Sequence, residues 1–149
     1  MKEGDRTARA MDYFRSGYSC SQSVFTPWAV DEGMDEETAL RVSSSFGGGM
    51  GRMAMTCGAA SGAMMALGLR FGRVRPEDRA SRDLNYDKAR EFAGRFREEA
   101  GGLDCSRILG VDLSTTEGYD AVSENEEYFE RCLGFVRLAS TILEDLMDS

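Results

Sequence analysis

The sequence predicts an all-α protein, a single-domain helical bundle of about five to seven helices with no significant β-sheet. Apolar residues recur three and four apart along most of the chain. No stretch alternates apolar and polar residues as a half-buried strand would. Glycine and proline punctuate the periodic segments at ordinary helix lengths. With 149 residues and no linker, repeat or low-complexity tract, the chain reads as one helical four-cysteine domain, residues 1–149. That length can bury a core without disulfide or metal staples.

Taken in order, residues 6–16 carry Ala8, Met11 and Phe14 at helical spacing. Ser19 is placed to cap a short helix through Val24 and Phe25, and Thr26-Pro27 reads as a break and restart. Asp35 caps a helix with Glu36 and Glu37 in its first turn, where acids suit the dipole. Gly47-Gly48-Gly49-Met50-Gly51 stops that helix. Another begins near Thr56 and ends between Gly68 and Gly72. Pro76-Glu77-Asp78 opens a long amphipathic segment with Tyr86, Ala89, Phe92, Ala93 and Phe96 three and four apart, interrupted near Asn85 and ended by Gly101-Gly102. Asp104–Gly110 gives one or two turns closed by glycine. Residues 112–125 read as loop. The last helix, residues 126–147, puts Tyr128, Cys132, Phe135, Val136, Ala139, Ile142, Leu143 and Leu146 on one face.

Composition narrows the function. The net charge of −8 argues against nucleic acid and anionic membrane surfaces as partners. No apolar run reaches the length of a membrane span, so an integral membrane protein is not expected. The first residues, MKEGDRTARAMDYF, carry charges where a secretory signal would be apolar, which predicts a cytoplasmic location. In a reducing compartment four cysteines are free, metal-bound or redox-active rather than permanently bridged. There is no histidine. The commonest general base, the commonest metal ligand and the Cys-His pair are therefore all removed.

Cys20, Cys57, Cys105 and Cys132 lie 37, 48 and 27 residues apart, with no CxxC pair. A local zinc-finger or thioredoxin-like motif is absent, and any joint role requires the fold to bring them together. Cys20 follows Ser19, Cys57 follows Thr56 and Cys105 follows Asp104. Each pair reads as an N-cap followed by cysteine in the first helical turn. Unpaired N–H groups and the positive end of the dipole favour a thiolate there. Cys132 sits mid-helix on the apolar face, as a resolving or structural thiol would. Against this stands the tendency of cysteine simply to pack as a small hydrophobe.

The run after Cys57 is made of very small residues. Ala59, Gly62, Ala63 and Ala66 share a helical face on which another helix can approach closely, and mid-helix Gly58 and Gly62 need such a reason. GGGMGRMA loosely fits a dinucleotide fingerprint, but a helix precedes it where a strand is required. The methionines near Cys57 hint at Cu(I), although core filling is the commoner use. The acidic runs at 35–37 and 124–127 have no calcium-loop spacing.

These residues carry a resemblance. Cys20, FGGGMGRMAMTCGAASGAMMALGLRFG, LDCSRILGVD and Cys132 in a terminal helix resemble the C_GCAxxG_C_C family, which is named for four cysteines, one of them in a CGAxxG core. Here that core is Cys57-Gly58-Ala59-Ala60-Ser61-Gly62. The similarity runs from about residue 12 to the end, and Pro27 departs from the uninterrupted helix expected after the first cysteine. The resemblance implies a small, mainly helical, cytoplasmic protein of bacteria or archaea. It also implies a redox role for the four cysteine positions, without naming a substrate.

Three functions stay open. The first is thiol–disulfide chemistry, with Cys57 as the reactive thiolate at its helix N-terminus and Cys20, Cys105 or Cys132 resolving it. Thr56, Gly58, Ala59 and Gly62 would support that site, and the partner would be a redox protein or a small molecule. The second is a binding protein in which Cys20, Cys57, Cys105 and Cys132 ligate Zn or an Fe–S cluster. The third is a helical structural or interaction protein with inert buried thiols. Exposed methionine or the small-residue face would support a homodimer.

Overall fold

Local caps mark several of the helix starts, and one close helix crossing sets how the cysteines meet. The structure is a computed structural model and describes residues 5–148. It holds eight α-helices: α1 (Asp5–Arg15), α2 (Cys20–Asp31), α3 (Glu36–Ser43), α4 (Gly58–Phe71), α5 (Arg79–Ala100), α6 (Cys105–Leu109), α7 (Thr116–Val122) and α8 (Glu126–Asp148). Gly47–Met50 is a separate turn, because Gly48 and Gly49 lie in the left-handed region. The described residues form no strand, only one isolated antiparallel bridge, Thr56 to Asp104. The all-α expectation therefore holds, with one helix more than the upper count anticipated.

The caps at Ser19 and Asp35 behave as read. The Ser19 side chain accepts from the Gln22 N–H, and Gln22 reaches back to Ser19, a capping box that starts α2. Asp35 caps α3 and Asp78 caps α5. Gly101, at φ +92°, ends α5 in the left-handed conformation that glycine adopts without penalty.

Three expectations fail. Helix α2 does not break at Thr26-Pro27 but continues to Asp31. Proline inside a helix costs about 3 kcal/mol. Here the surroundings offset that cost: α2 packs against α1, α3, α4 and α8, and Val24 through Ala29 are all buried. Residues 112–125 are not all loop, since Thr116–Val122 is helical and capped by Thr115. Helix α5 runs unbroken past Asn85.

The core forms where α2, α4, α5 and α8 meet, with Trp28, Leu67, Phe92, Phe96, Leu143 and Leu146 as its largest buried side chains. Helix α1 lies over α2 and α8. Arg6 and Arg9 pair with Asp31 at 2.8 and 2.6 Å, and Thr7 donates from N and Oγ1 to Glu144. Burial alone would raise the Asp31 carboxyl, but the two guanidiniums outweigh it and hold it low. The Arg6 guanidinium also lies 3.8 Å above the Trp28 ring. These ties fix α1, which carries Phe14.

The small-residue face of α4 is spent inside the molecule. Ala59, Gly62, Ala63 and Ala66 are buried, and α4 crosses α2 at backbone contact. A Cβ on Gly62 would stand 2.7 Å from the Ser21 carbonyl oxygen, and one on Gly58 would stand 3.2 Å from the Cys20 Cβ. This face is thus closed to a second copy of the chain. The exposed methionines, Met53 and Met55, lie outside it.

Gly62→Ala is expected to lower stability by about 1–3 kcal/mol, because the obstructing atom is backbone and cannot rotate away. Gly68→Ala, in the same helix with nothing within 4 Å of its new Cβ, should raise stability by about 0.5–1 kcal/mol. Paired thermal melts check both, and equal Tm for Gly62→Ala and the parent would contradict the crossing.

Candidate functional site

Four cysteines that are far apart in sequence line one cavity of about 160 Å³. Each arrives by a different local device. Cys20 is the first residue of α2, held by the Ser19 capping box. Cys132 comes from the second turn of α8. Cys105 opens α6.

Cys57 departs from the expected pattern. Thr56 does not cap α4. Cys57 is itself the N-cap residue, and its carbonyl accepts from the Ala60 and Ser61 N–H groups at 2.9 and 3.0 Å. Thr56 instead pairs with Asp104. Around that bridge the Cys57 N–H donates to the Leu103 carbonyl at 2.7 Å and the Cys105 N–H to the Met55 carbonyl at 2.6 Å. One pair of backbone hydrogen bonds thus fixes both Cys57 and Cys105 at their helix starts. The Asp104 side chain makes no capping bond.

The segment between α3 and α4 forms another wall. Gly48, Gly49, Met50, Gly51 and Arg52 all have φ between +65° and +74°, a single left-handed turn closed by the Gly51 N–H to the Gly47 carbonyl at 2.9 Å. Left-handed helix costs roughly 1–2 kcal/mol for each residue other than glycine, which here means Met50 and Arg52. The turn lets backbone take the place of side chains at the cavity. Gly49 is buried, and a Cβ there would sit 2.8 Å from the Cys105 Cβ. Arg52 ties the turn to α7, with its guanidinium 4.0 Å above the Tyr119 ring and bonded to its hydroxyl.

Sequence reasoning picked out the four cysteines, Thr56 and the small residues, and missed several walls. The glycine run, which marks a helix stop in the sequence, is also a cavity wall through Gly48 and Gly49. Phe14, on the apolar face of α1, and Val122, in the segment expected to be loop, line the cavity as well. The apolar spacing of α1 was the available signal for Phe14. Nothing local distinguishes Val122, since α7 is seven residues long.

Residues 18–146 match the C_GCAxxG_C_C family, described as "Putative redox-active protein". The chain belongs to this family. No curated protein and no solved structure matches it.

In this C_GCAxxG_C_C protein all four thiols are free. Their settings differ sharply. The Cys20 thiol donates to the Cys132 sulfur, and that bond, with burial, pushes Cys20 well above its ordinary range. The same bond lowers Cys132 below 9.0, against burial and with help from the Arg131 charge. Cys57 reverses the expectation of a lowered thiol. Burial pushes it up to about 11, outweighing the backbone N–H groups of Ala59 and Ala60. Burial likewise pushes Cys105 up to about 12. The helix N-terminus acts on Cys57 in the expected direction, but desolvation is the larger effect. Among the described residues, no three histidine, cysteine or carboxylate side chains are grouped to hold a metal ion.

In the reduced protein, thiolate absorbance should rise below pH 9 for one sulfur only, and early alkylation should fall on Cys132. Removing the donor raises the acceptor's pKa, so Cys20→Ala should move that first titration upward. Peptide mapping after brief iodoacetamide treatment checks the order. Labelling of Cys57 ahead of Cys132 would contradict it.

Proposed function

We propose that this protein carries out thiol–disulfide exchange through its four-cysteine cavity, starting at Cys132. The observation that carries the reading is that all four cysteines line one cavity, with Cys20 donating to Cys132. Without histidine, thiolate character has to come from another group, and a neighbouring thiol supplies it.

The reaction runs in two exchanges. The Cys132 thiolate attacks one sulfur of a substrate disulfide, its S–S bond breaks, and the departing thiolate takes up a proton. Cys20 then loses its proton and attacks Cys132 in the mixed disulfide. A Cys20–Cys132 disulfide forms and the second substrate thiol leaves. The substrate gains two electrons and the protein loses two. An external dithiol reverses both exchanges and restores the protein. Cys57 lies behind this pair as a protonated thiol, and it exchanges with the first disulfide only after passing its proton to the thiolate that leaves. Cys105 lies beside it, held by the same backbone bridge.

The test is thiol counting by mass spectrometry after mild oxidation of protein purified without oxygen. The parent should lose two thiols reversibly, mapped to Cys20 and Cys132. Cys132→Ser should remove the fast phase. With a small disulfide as the oxidant, Cys20→Ser should trap a mixed disulfide on Cys132 and release one equivalent of the small thiol. Unchanged kinetics in both variants would overturn the reading, and stoichiometric Zn or Fe in the purified protein would support ligation instead.

A further inference from the structure

Cys132 is where two cavities meet. Beside the four-cysteine cavity runs a larger groove of about 360 Å³ between α1 and the α7–α8 corner. The two share Phe14, Val122 and Cys132. The thiol with the lowered pKa is thus also the one that faces both spaces. Cys57 and Cys105 border only the inner one.

The groove has a definite chemical character. Its walls are the stacked rings of Phe14 and Phe129, 4.9 Å apart, with Tyr128 and Val122. Its charged lining residues are Glu124 and Glu126, both exposed, and among the described residues no cation lines it. The nearest basic residue in sequence, Arg131, does not line the groove: it donates to the Leu109 carbonyl and lines a different cavity, with its guanidinium 5.7 Å from the Tyr128 ring and its charge felt at Cys132. Glu124 is held at the α7–α8 corner with φ +59°.

We propose that this groove is the substrate entry to Cys132 and takes an apolar disulfide, neutral or cationic, while turning anionic disulfides away. The proposal rests on the exchange chemistry proposed above and adds its substrate class. Rings and aliphatic walls desolvate an apolar substituent, placing its sulfur against Cys132. Two carboxylates at the rim raise the local concentration of cations and lower that of anions. The net charge of −8 acts in the same direction.

The experiment uses the reduced full chain and three small disulfides: neutral aromatic 4,4′-dithiodipyridine, cationic aliphatic cystamine and anionic aromatic 5,5′-dithiobis(2-nitrobenzoate). Each rate is divided by that reagent's rate with a free small thiol, which removes intrinsic reactivity. The neutral aromatic reagent should then exceed the anionic one by about tenfold or more, a ratio within reach of a cleft lined by charges of one sign. Cystamine should fall between them, favoured by charge and lacking the rings. Glu124→Gln with Glu126→Gln should close most of the gap, and Val122→Trp, which fills the groove, should slow the aromatic reagents.

Equal normalised rates for the three reagents would overturn the proposal, as would first modification at Cys57 or Cys105. If Val122→Trp does not fold, the two glutamine substitutions decide alone, since both sites are exposed. Hydrogen peroxide on the parent separates the two readings. A Cys20–Cys132 disulfide formed without reagent preference leaves the exchange chemistry standing and removes the groove. Preference at Cys132 with no internal disulfide leaves the groove and removes the exchange.

Discussion

The contact on which the site depends is the crossing of α4 over α2 at Ser21. Gly58 and Gly62 let the two backbones touch there. Any larger residue would lift α4 away from α2 and carry Cys57 away from Cys20. The buried helix α2 in turn tolerates Pro27 only because four neighbours hold it. Cys57 is buried beside this α2–α4 seam, and the seam holds it close to Cys20.

Helix ends do the rest of the assembly, and they do it with backbone. Cys20 opens a helix fixed by a capping box. Cys57 and Cys105 open helices joined by a two-hydrogen-bond bridge, and a left-handed turn supplies glycine walls. Desolvation then decides the electrostatics. Every thiol is removed from water to some degree, and only Cys132 has a donor strong enough to outweigh that removal. A dipole at a helix start is a modest influence beside full burial.

Much of the fold was legible because caps and periodicity are local. Asp35, Asp78 and Gly101 mark their helix ends in sequence and in structure alike. The small-residue face of α4 was legible as a close-packing face, although its partner, α2, was not. What escaped has a common cause. Pro27 stays helical through tertiary contacts, Thr56 is drawn from capping into a bridge with Asp104, and the Cys57 thiol responds to burial rather than to its helix. Each depends on residues far away in the chain. Phe14 and Val122 became walls for the same reason.

The wide spacing of the cysteines has a thermodynamic consequence. A bond between Cys20 and Cys132 would close a loop of 112 residues, tying the start of α2 to the last helix. Closing a loop of about 100 residues removes roughly 4.7 kcal/mol of denatured-chain entropy. The oxidation state of this small cavity would then be written into the melting temperature of the whole protein. A proteolytic machine that samples unfolded chains would meet the reduced form more often than the oxidised one, so the lifetime of the protein would itself report on the thiols around it.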